Sequence, residues 1–191
     1  MKKFIKILFL GFIMNANVGN VNAEVSSADL ENMIYLDVSY GRVVIELYPE
    51  VAPNHVKRIK ELVRDGFYDG LKFHRVIPGF MAQTGDPLGN GTGGSGRNLK
   101  QEFSELRHDR GIVSMARASD PDSADSQFFI VYSKAYHLDG KYTIWGNVIS
   151  GMEHVDKIKQ GNISNNGVVK NPDIIVKMMV AADEAKKSKS K

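Results

Sequence analysis

The sequence of 191 residues contains no cysteine. A chain without cysteine can form no disulfide framework, no thiolate metal site and no cysteine nucleophile, so three classes of function are excluded together. Its 42% hydrophobic and 25% charged residues are typical of a globular chain that is long enough for one sizeable core. It shows no internal repeat of about 20 to 50 residues. We therefore expect one domain.

Two common catalytic patterns are also missing. The five histidines include no pair spaced as H-E-x-x-H, and no carboxylate cluster completes a metal set, so we expect neither a metal nor another cofactor. The serines Ser114, Ser126 and Ser133 lie in no nucleophile-elbow pattern. Serine hydrolysis is therefore only weakly supported, because a triad built from distant parts of the chain leaves no local signature.

A glycine-rich stretch, "GNGTGG" from Gly89 to Gly94, satisfies the G-x-G-x-x-G pattern of dinucleotide-binding proteins. That motif requires a strand before it and an apolar helix directly after it. Here Pro87 precedes the glycines and "SGRNLK" follows them. The stretch thus predicts a loop whose backbone approaches another group closely, and not a nucleotide site.

The first 23 residues resemble an export signal. Lys2, Lys3 and Lys6 lead into an apolar run from Ile7 to Met14, and the small residues of "VNA" end at Ala23, where a signal peptidase would cut. The apolar run is far shorter than the roughly 20 residues of a membrane-spanning helix. We therefore expect residues 1–23 to be a signal peptide, the protein to be exported to the periplasm, and no stable insertion into the membrane.

The charge balance argues against a nucleic-acid partner. The chain has 25 basic and 22 acidic residues, and removal of three signal-peptide lysines leaves 22 of each sign, so the sequence pI of about 9.0 loses most of its meaning. Residues 24–31 are predicted to be a polar linker, and residues 183–191, ending in "AKKSKSK", a lysine-rich disordered tail. The domain itself is expected to cover residues 32–182 and to act as a monomer.

Hydrophobic periodicity predicts a mainly β domain. "MIYLDVSYGRVVIELY" reads as a hairpin that turns at Tyr40 and Gly41, and "APNHVKRIKELVRDG" as an amphipathic helix with Pro53 at its first position and Gly66 at its end. Short apolar runs then alternate with turns over residues 73–147, as in a barrel or sandwich. A second helix is predicted at "GMEHVDKIKQG" and a last strand at "PDIIVKMMV".

The segment "FHRVIPGFMAQTGD", residues 73–86, sets one permanent charge, Arg75, among apolar side chains. This combination suits prolyl isomerisation, in which an apolar pocket grips a proline ring while a donor addresses the peptide nitrogen. The amide twists over a barrier of about 18 to 20 kcal/mol, and a donor to the nitrogen lone pair stabilises the twisted form alone. Arginine qualifies because it donates and does not deprotonate.

Several motifs, taken together, resemble the cyclophilin family of peptidyl-prolyl isomerases. "FHRVIPGFMAQTGD", "NGTGG", "MARA…SQFFI" and "HLDGKYTIWG" follow one another in that family's order and spacing, and the similarity extends roughly from Met33 to Ala181. In detail the chain resembles a short bacterial cyclophilin. The resemblance implies a closed eight-stranded antiparallel barrel capped by two α-helices, and an enzyme that isomerises X-Pro bonds of unfolded or flexible proteins during the folding of exported proteins.

The resemblance also implies a set of site residues. Arg75 matches the catalytic arginine, and Gln83 matches a glutamine that bonds the substrate backbone. The proline pocket would be formed by Phe80, Met81, Phe129 and Leu138. Further substrate contacts would come from the pocket rim: Gly91, Ala116, Arg117, Gln127, His137 and Tyr142.

The chain departs from many relatives at three of these positions. Arg117 stands in place of an asparagine, Tyr142 in place of a histidine, and His137 in place of a tryptophan. None of the three is expected to affect the catalytic step, but all could alter substrate or inhibitor preference. Because the missing tryptophan holds the drug in cyclosporin-sensitive cyclophilins, we expect only weak cyclosporin binding.

Two other interpretations stay open at this point. Phe73, Val76 and Phe128 are expected to be core residues, and a purely structural reading would extend the core to Ile77 and Phe129 and make Arg75 a buried, paired arginine. The functional alternative is a binding module or holdase that uses the same groove on unfolded chains with negligible turnover.

Overall fold

A computed structural model describes residues 26–189, in which eight strands form one antiparallel sheet. The predicted signal peptide lies outside the described residues. The strand order is β3-β4-β6-β5-β7-β2-β1-β8. The strands are β1 Met33–Val38, β2 Gly41–Leu47, β3 Arg75–Ile77, β4 Met81–Thr84, β5 Ile112–Met115, β6 Phe128–Val131, β7 Ile144–Ser150 and β8 Ile175–Val180. The prediction of a mainly β, eight-stranded antiparallel fold is confirmed.

The two outer strands of the sheet, β3 and β8, do not pair with each other, and separate backbone hydrogen bonds join the segments beside and within them. These bonds connect residues 70–76 to residues 167–175, a boundary that we call the seam. The Phe73 N–H donates to the Asp173 carbonyl at 2.9 Å, and the Val76 N–H donates to the Gly167 carbonyl at 2.8 Å. The sheet therefore curls into a half-barrel, and within the described residues no regular ladder closes it into the expected barrel.

The first two strands form the predicted hairpin. Ile34 pairs with Ile45 and Leu36 with Val43, and all four side chains are buried. Gly41 begins β2 with a φ of +142°, and the ring of His154 lies where its Cβ would be. Only glycine fits there, because the backbone conformation and the close ring both exclude a side chain.

The long helix is also as predicted. Helix α2, Pro53–Arg64, starts with its proline and buries one apolar face. The Glu102 carboxylate accepts hydrogen bonds from the N–H groups of Asn54 and His55, at 3.1 and 3.0 Å. Since the first N–H groups of a helix have no partner within the helix, this distant carboxylate acts as its cap.

The predicted second helix is much shorter than expected. Helix α3 covers only Met152–Val155 of the stretch "GMEHVDKIKQG". Beyond it, backbone groups that would continue the helix bond elsewhere: the Lys159 N–H donates to the Asp173 carboxylate, and the Gly161 N–H to the Val76 carbonyl. Tertiary hydrogen bonds thus end the helix where its apolar period alone would have extended it.

Both predicted flanking segments contain helix, which gives four described α-helices in place of two. Helix α1, Ser27–Glu31, lies in the expected linker and is closed by a capping box of Ser26 and Asp29. Helix α4, Ala181–Lys189, covers most of the expected tail. The structure thus has a helix where disorder was expected, and Asp183 and Glu184 in its first turn pair with arginines of the domain.

The sheet carries an apolar cluster on each face. The larger cluster takes residues from all eight strands, which can meet only on the concave face, and from α2; we call it the inner cluster. The outer cluster comprises Met81, Ile112, Phe129, Val131, Ala135, Leu138 and Ile144. None of the described helices is both long and apolar enough to cross a lipid bilayer.

Candidate active site

A cavity of about 600 Å³ opens over the outer cluster and gathers almost all of the predicted site residues. Eleven of the twelve line it: Arg75, Phe80, Met81, Gln83, Gly91, Ala116, Arg117, Phe129, His137, Leu138 and Tyr142. The twelfth, Gln127, lines an adjoining cavity of about 280 Å³ that also touches Gln83 and Gly91. Residues from five separate chain segments thus share one surface.

Strand pairing explains how these residues come together. Arg75 on β3 lies opposite Gln83 on β4, and Gln83 lies opposite Phe129 on β6. Successive side chains of a strand point to opposite faces, so the outward residues of neighbouring strands form a row. The same alternation sends Val76 and Phe128 into the inner cluster, as expected for core residues.

The apolar part of the cavity is a shallow pocket of aromatic and aliphatic side chains. Met81, Phe129 and Leu138 are buried in its floor, and Phe80 forms part of its wall. The rings of Phe80 and His137 lie 5.3 Å apart, and Tyr142 meets Phe129 edge to face at 5.9 Å. Such a pocket can hold a small apolar ring.

Arg75 is fixed at the edge of this pocket by two residues. Its Nη1 donates to Oε1 of Gln83 at 2.9 Å, while Nε and Nη2 donate to the carbonyl and Oδ1 of Asn166, both at 3.0 Å. Within residues 26–189 no carboxylate forms an ion pair with it, which is against the reading of Arg75 as a buried, paired arginine. Burial lowers the pKa of Arg75, and nearby Tyr142 partly offsets that effect.

A row of amide groups continues from Arg75 along the floor. Gln83 Nε2 donates to Gln127 Oε1 at 2.9 Å, and Gln127 Nε2 donates to the carbonyls of Gly91 and Gly93 at 3.1 and 2.8 Å. The direction of these bonds is determined at one end, because arginine can only donate and Gln83 must turn its oxygen toward it. Each amide in the row has one possible orientation.

The rim beyond this row is formed by Arg117. Its guanidinium lies 4.6 Å from the ring centre of Tyr142 and donates to the carbonyl of Lys141. The Ala116 N–H is taken by the Gln127 carbonyl, but the Ala116 carbonyl and the Arg117 N–H have no backbone partner among the described residues. This short extended segment can therefore pair with another chain.

The glycine loop forms the opposite rim, as a close-approach loop and not as a nucleotide fingerprint. A Cβ on Gly93 would overlap the Asp86 carboxylate, and one on Gly94 would overlap that of Asp125. Gly91 adopts a φ of +93°. The expected need for glycine is thus explained by contacts within the protein.

Sequence reasoning missed two polar residues of the site. Asn166, with a φ of +50°, holds Arg75 from 91 positions further along the chain. Its only local signal is the turn-forming "NNG" at residues 165–167, which says nothing about a distant arginine. His74 lines the cavity with both ring nitrogens outside standard hydrogen-bond geometry, and burial lowers its pKa.

The chain is similar to known proteins over most of its length. The family model described as cyclophilin-type peptidyl-prolyl cis-trans isomerase matches residues 33–180. A probable peptidyl-prolyl cis-trans isomerase of Brucella suis is 52% identical over 170 residues, covering 83% of this chain and 87% of that protein. Peptidyl-prolyl cis-trans isomerase B of Bacillus subtilis is 46% identical over 125 residues, covering 64% of this chain and 87% of that protein.

Solved structures show the same fold. A cyclophilin from Hirschia baltica superposes with a TM-score of 0.73 at 30% identity, covering 81% of this chain and 76% of that one. A cyclophilin-type isomerase from Cryptosporidium parvum, crystallised in the presence of the dipeptide Ala-Pro, superposes with a TM-score of 0.71 at 34% identity, covering 78% of this chain and 98% of that one.

Proposed function

The chain belongs to the cyclophilin-type peptidyl-prolyl cis-trans isomerase family, and from this premise we propose that its large cavity binds the proline of an X-Pro segment while Arg75 promotes rotation about the preceding bond. The family and its named relatives make the chain a peptidyl-prolyl isomerase. One observation carries the assignment of roles: a fixed guanidinium stands at the edge of an apolar pocket.

Arg75 has donors to spare for this task. A guanidinium carries five N–H groups. Three of them are used by Gln83 and Asn166, so one hydrogen on each Nη is available to a substrate. A donor reaching the prolyl nitrogen binds the lone pair that the twisted amide exposes and the planar amide does not, so it favours the transition state.

The required reduction in activation free energy is larger than one hydrogen bond supplies. Raising a rate of about 0.01 per second to about 1,000 per second takes roughly 7 kcal/mol. A charge-assisted bond contributes about 1.5 to 3 kcal/mol. The pocket of Phe80, Met81, Phe129 and Leu138 and the fixed amide row must provide the rest, by holding the proline and presenting dipoles that need no reorganisation.

The substrate backbone is held on the far side of the pocket. The Ala116 carbonyl and the Arg117 N–H lack backbone partners among the described residues, which supports strand-like pairing with an extended segment. Gln83 and Gln127 lie between this segment and Arg75. An X-Pro segment lying across the cavity would thus be fixed at its backbone and at its ring.

The test is Arg75→Ala in a proline-peptide isomerisation assay. We expect the protein to fold and kcat/KM to fall at least tenfold, with partial recovery in Arg75→Lys. Arg110→Ala is the matched control, because Arg110 pairs with Asp156 away from the cavity. A folded Arg75→Ala with near wild-type turnover would contradict the mechanism, and negligible turnover in the wild type would favour the holdase.

We further propose that the enzyme acts on exported proteins in the periplasm, after cleavage behind Ala23. The support is the lysine-led apolar run and the "VNA" site of the sequence. Mass spectrometry of the protein from its native host tests this, and the expected mature form begins at Glu24. An abundant form with an intact Met1 or Lys2 terminus would contradict it.

A further inference from the structure

Asp86 is a buried carboxylate at the start of the glycine loop. It is 1% exposed, and within the described chain no lysine, arginine or histidine forms an ion pair with it. Instead it accepts backbone hydrogen bonds from Leu88 at 2.8 Å, from Asn90 at 3.0 Å and from Gly91. Burial raises the pKa of Asp86, but these backbone bonds outweigh burial and hold it below its usual range. The group is therefore a charged acceptor at neutral pH.

Asp86 and the amide row meet at one residue, Gly91, on the two sides of its Cα. The Gly91 N–H bonds Asp86, and the Gly91 carbonyl accepts from Gln127 Nε2 at 3.1 Å. Gln127 in turn accepts from Gln83, and Gln83 accepts from Arg75, each at 2.9 Å. Every bond in this row is donated in the same direction, from the cation at Arg75 to the anion at Asp86.

We propose that Asp86 is a positioning residue for Arg75, acting through this row of hydrogen bonds. The inference rests on the proposed catalytic role of Arg75. The side-chain hydrogen bonds from Arg75 to Gln127 are in series and polarise one another, and Asp86 fixes the loop residue whose carbonyl accepts the last of them. Arg75 determines which way the amides of Gln83 and Gln127 face, and Asp86 determines where the carbonyl at the end of the row lies.

The consequence of losing the carboxylate follows from the way the row is anchored. Gln127 donates to the Gly91 carbonyl, and the bond from the Gly91 N–H to Asp86 holds that residue in place. If Gly91 is no longer held, the positions of Gln127 and then of Gln83 are less constrained. A displaced Gln83 would weaken its hydrogen bond to Arg75, and the guanidinium would move from its position.

The activity test is Asp86→Asn, assayed for kcat and KM on an X-Pro peptide. We expect kcat to fall about tenfold while KM changes less than twofold, since the apolar pocket is untouched. Asp69→Asn is the matched control: Asp69 also accepts a backbone N–H, from Met178 at 3.0 Å, but lies outside the cavity. Equal effects of the two substitutions would overturn the proposal.

A double-mutant cycle separates positioning from general damage. Gln127→Ala interrupts the row, so adding Asp86→Asn to it should lower kcat by less than a further twofold. A purely structural Asp86 would lower kcat by the same factor in both backgrounds, and that result would overturn the proposal.

A third measurement needs no substitution and so does not depend on folding of a variant. NMR should detect scalar couplings across the hydrogen bonds from Gln127 Nε2 to the Gly91 carbonyl and from Gln83 Nε2 to the Gln127 side-chain carbonyl. Their absence would overturn the proposal, whereas retained activity in Arg75→Ala would overturn only the catalytic role on which it rests.

Discussion

The inner and outer clusters consist of the same kinds of residue but have different roles. Two neighbouring phenylalanines show this most directly. Phe128 and Phe129 follow each other on β6, with exposed fractions of 0% and 5%. Phe128 packs against Trp145 and Tyr68 inside the sheet, whereas Phe129 packs against His108 and Tyr142 beneath the cavity. Burial alone therefore does not distinguish a core residue from a binding residue.

The two clusters differ in the structural elements that cover them. The inner cluster is enclosed by eight strands and by α2. The outer cluster is covered by the short 3₁₀ turn Tyr136–Leu138 and by partly buried side chains, and its remaining face is the cavity. An apolar surface that the chain leaves partly uncovered is one that a ligand can cover.

The sharpest test of this comparison is the pair Phe128→Ala and Phe129→Ala. Phe128→Ala should destabilise the protein by about 3 to 5 kcal/mol, because it leaves a closed void in the inner cluster. Phe129→Ala should cost roughly half as much, since water can enter from the cavity, but should lower kcat/KM about tenfold or more. Denaturant unfolding and the peptide assay measure the two effects.

The comparison would fail if the two substitutions behaved alike. Equal losses of stability would mean that the outer cluster is a second core. Unchanged kcat/KM in a folded Phe129→Ala would remove that residue from the proline pocket.

A smaller effect is expected at His137, on the edge of the outer cluster. His137→Trp enlarges the aromatic surface beside Phe80 and adds an indole N–H, as in cyclosporin-sensitive relatives. Cyclosporin affinity should rise by about 1 to 3 kcal/mol, or roughly five- to 150-fold. Cyclosporin titrations of the wild type and of His137→Trp in one isomerase assay check this. The free energy of unfolding is the control and should be the same in both proteins. Equal nanomolar inhibition of both would contradict it.

The smallest effect concerns pH. Burial, with a smaller contribution from Arg75, lowers the pKa of His74, although Asp86 and the Lys72 carbonyl oppose the shift. Below about pH 6.5 the unfolded chain therefore binds a proton that the folded chain does not, and stability falls as the pH falls. His74→Phe should reduce this slope by at most about 1.4 kcal/mol per pH unit.

Urea unfolding between pH 7 and pH 5 measures that slope. Burial also lowers the pKa of His108, so some dependence should remain in the variant. Identical slopes for the wild type and His74→Phe would show that His74 titrates alike in both states.

Local patterns predicted the strands and the long helix. They did not predict the row of Arg75, Gln83 and Phe129, because β6 is apolar and buried at every position from Phe128 to Val131 and shows no alternation. The glycine loop was readable as a close approach. The names of the site residues came from linked motifs whose spacing is retained along the chain.

Features that depend on distant partners could not be predicted in this way. Asn166 reaches Arg75, and Glu102 caps α2, through contacts that leave no periodic trace. Helix α4 formed in a lysine-rich segment because Arg64 and Arg42 bind its first turn. The composition of that segment predicted disorder because it carries no information about distant partners. Contacts with the rest of the domain override this local preference.

The seam affects how the protein loses its activity on heating. Arg75 is bound on one side to Gln83 of the regular sheet and on the other to Asn166, across the seam. Where separate bonds and no regular ladder hold two segments together, local opening costs less free energy than global unfolding. Warming should therefore separate Arg75 from Asn166 while the remaining strand ladders are intact. Isomerase activity should then be lost at a lower temperature than the one at which the whole protein unfolds.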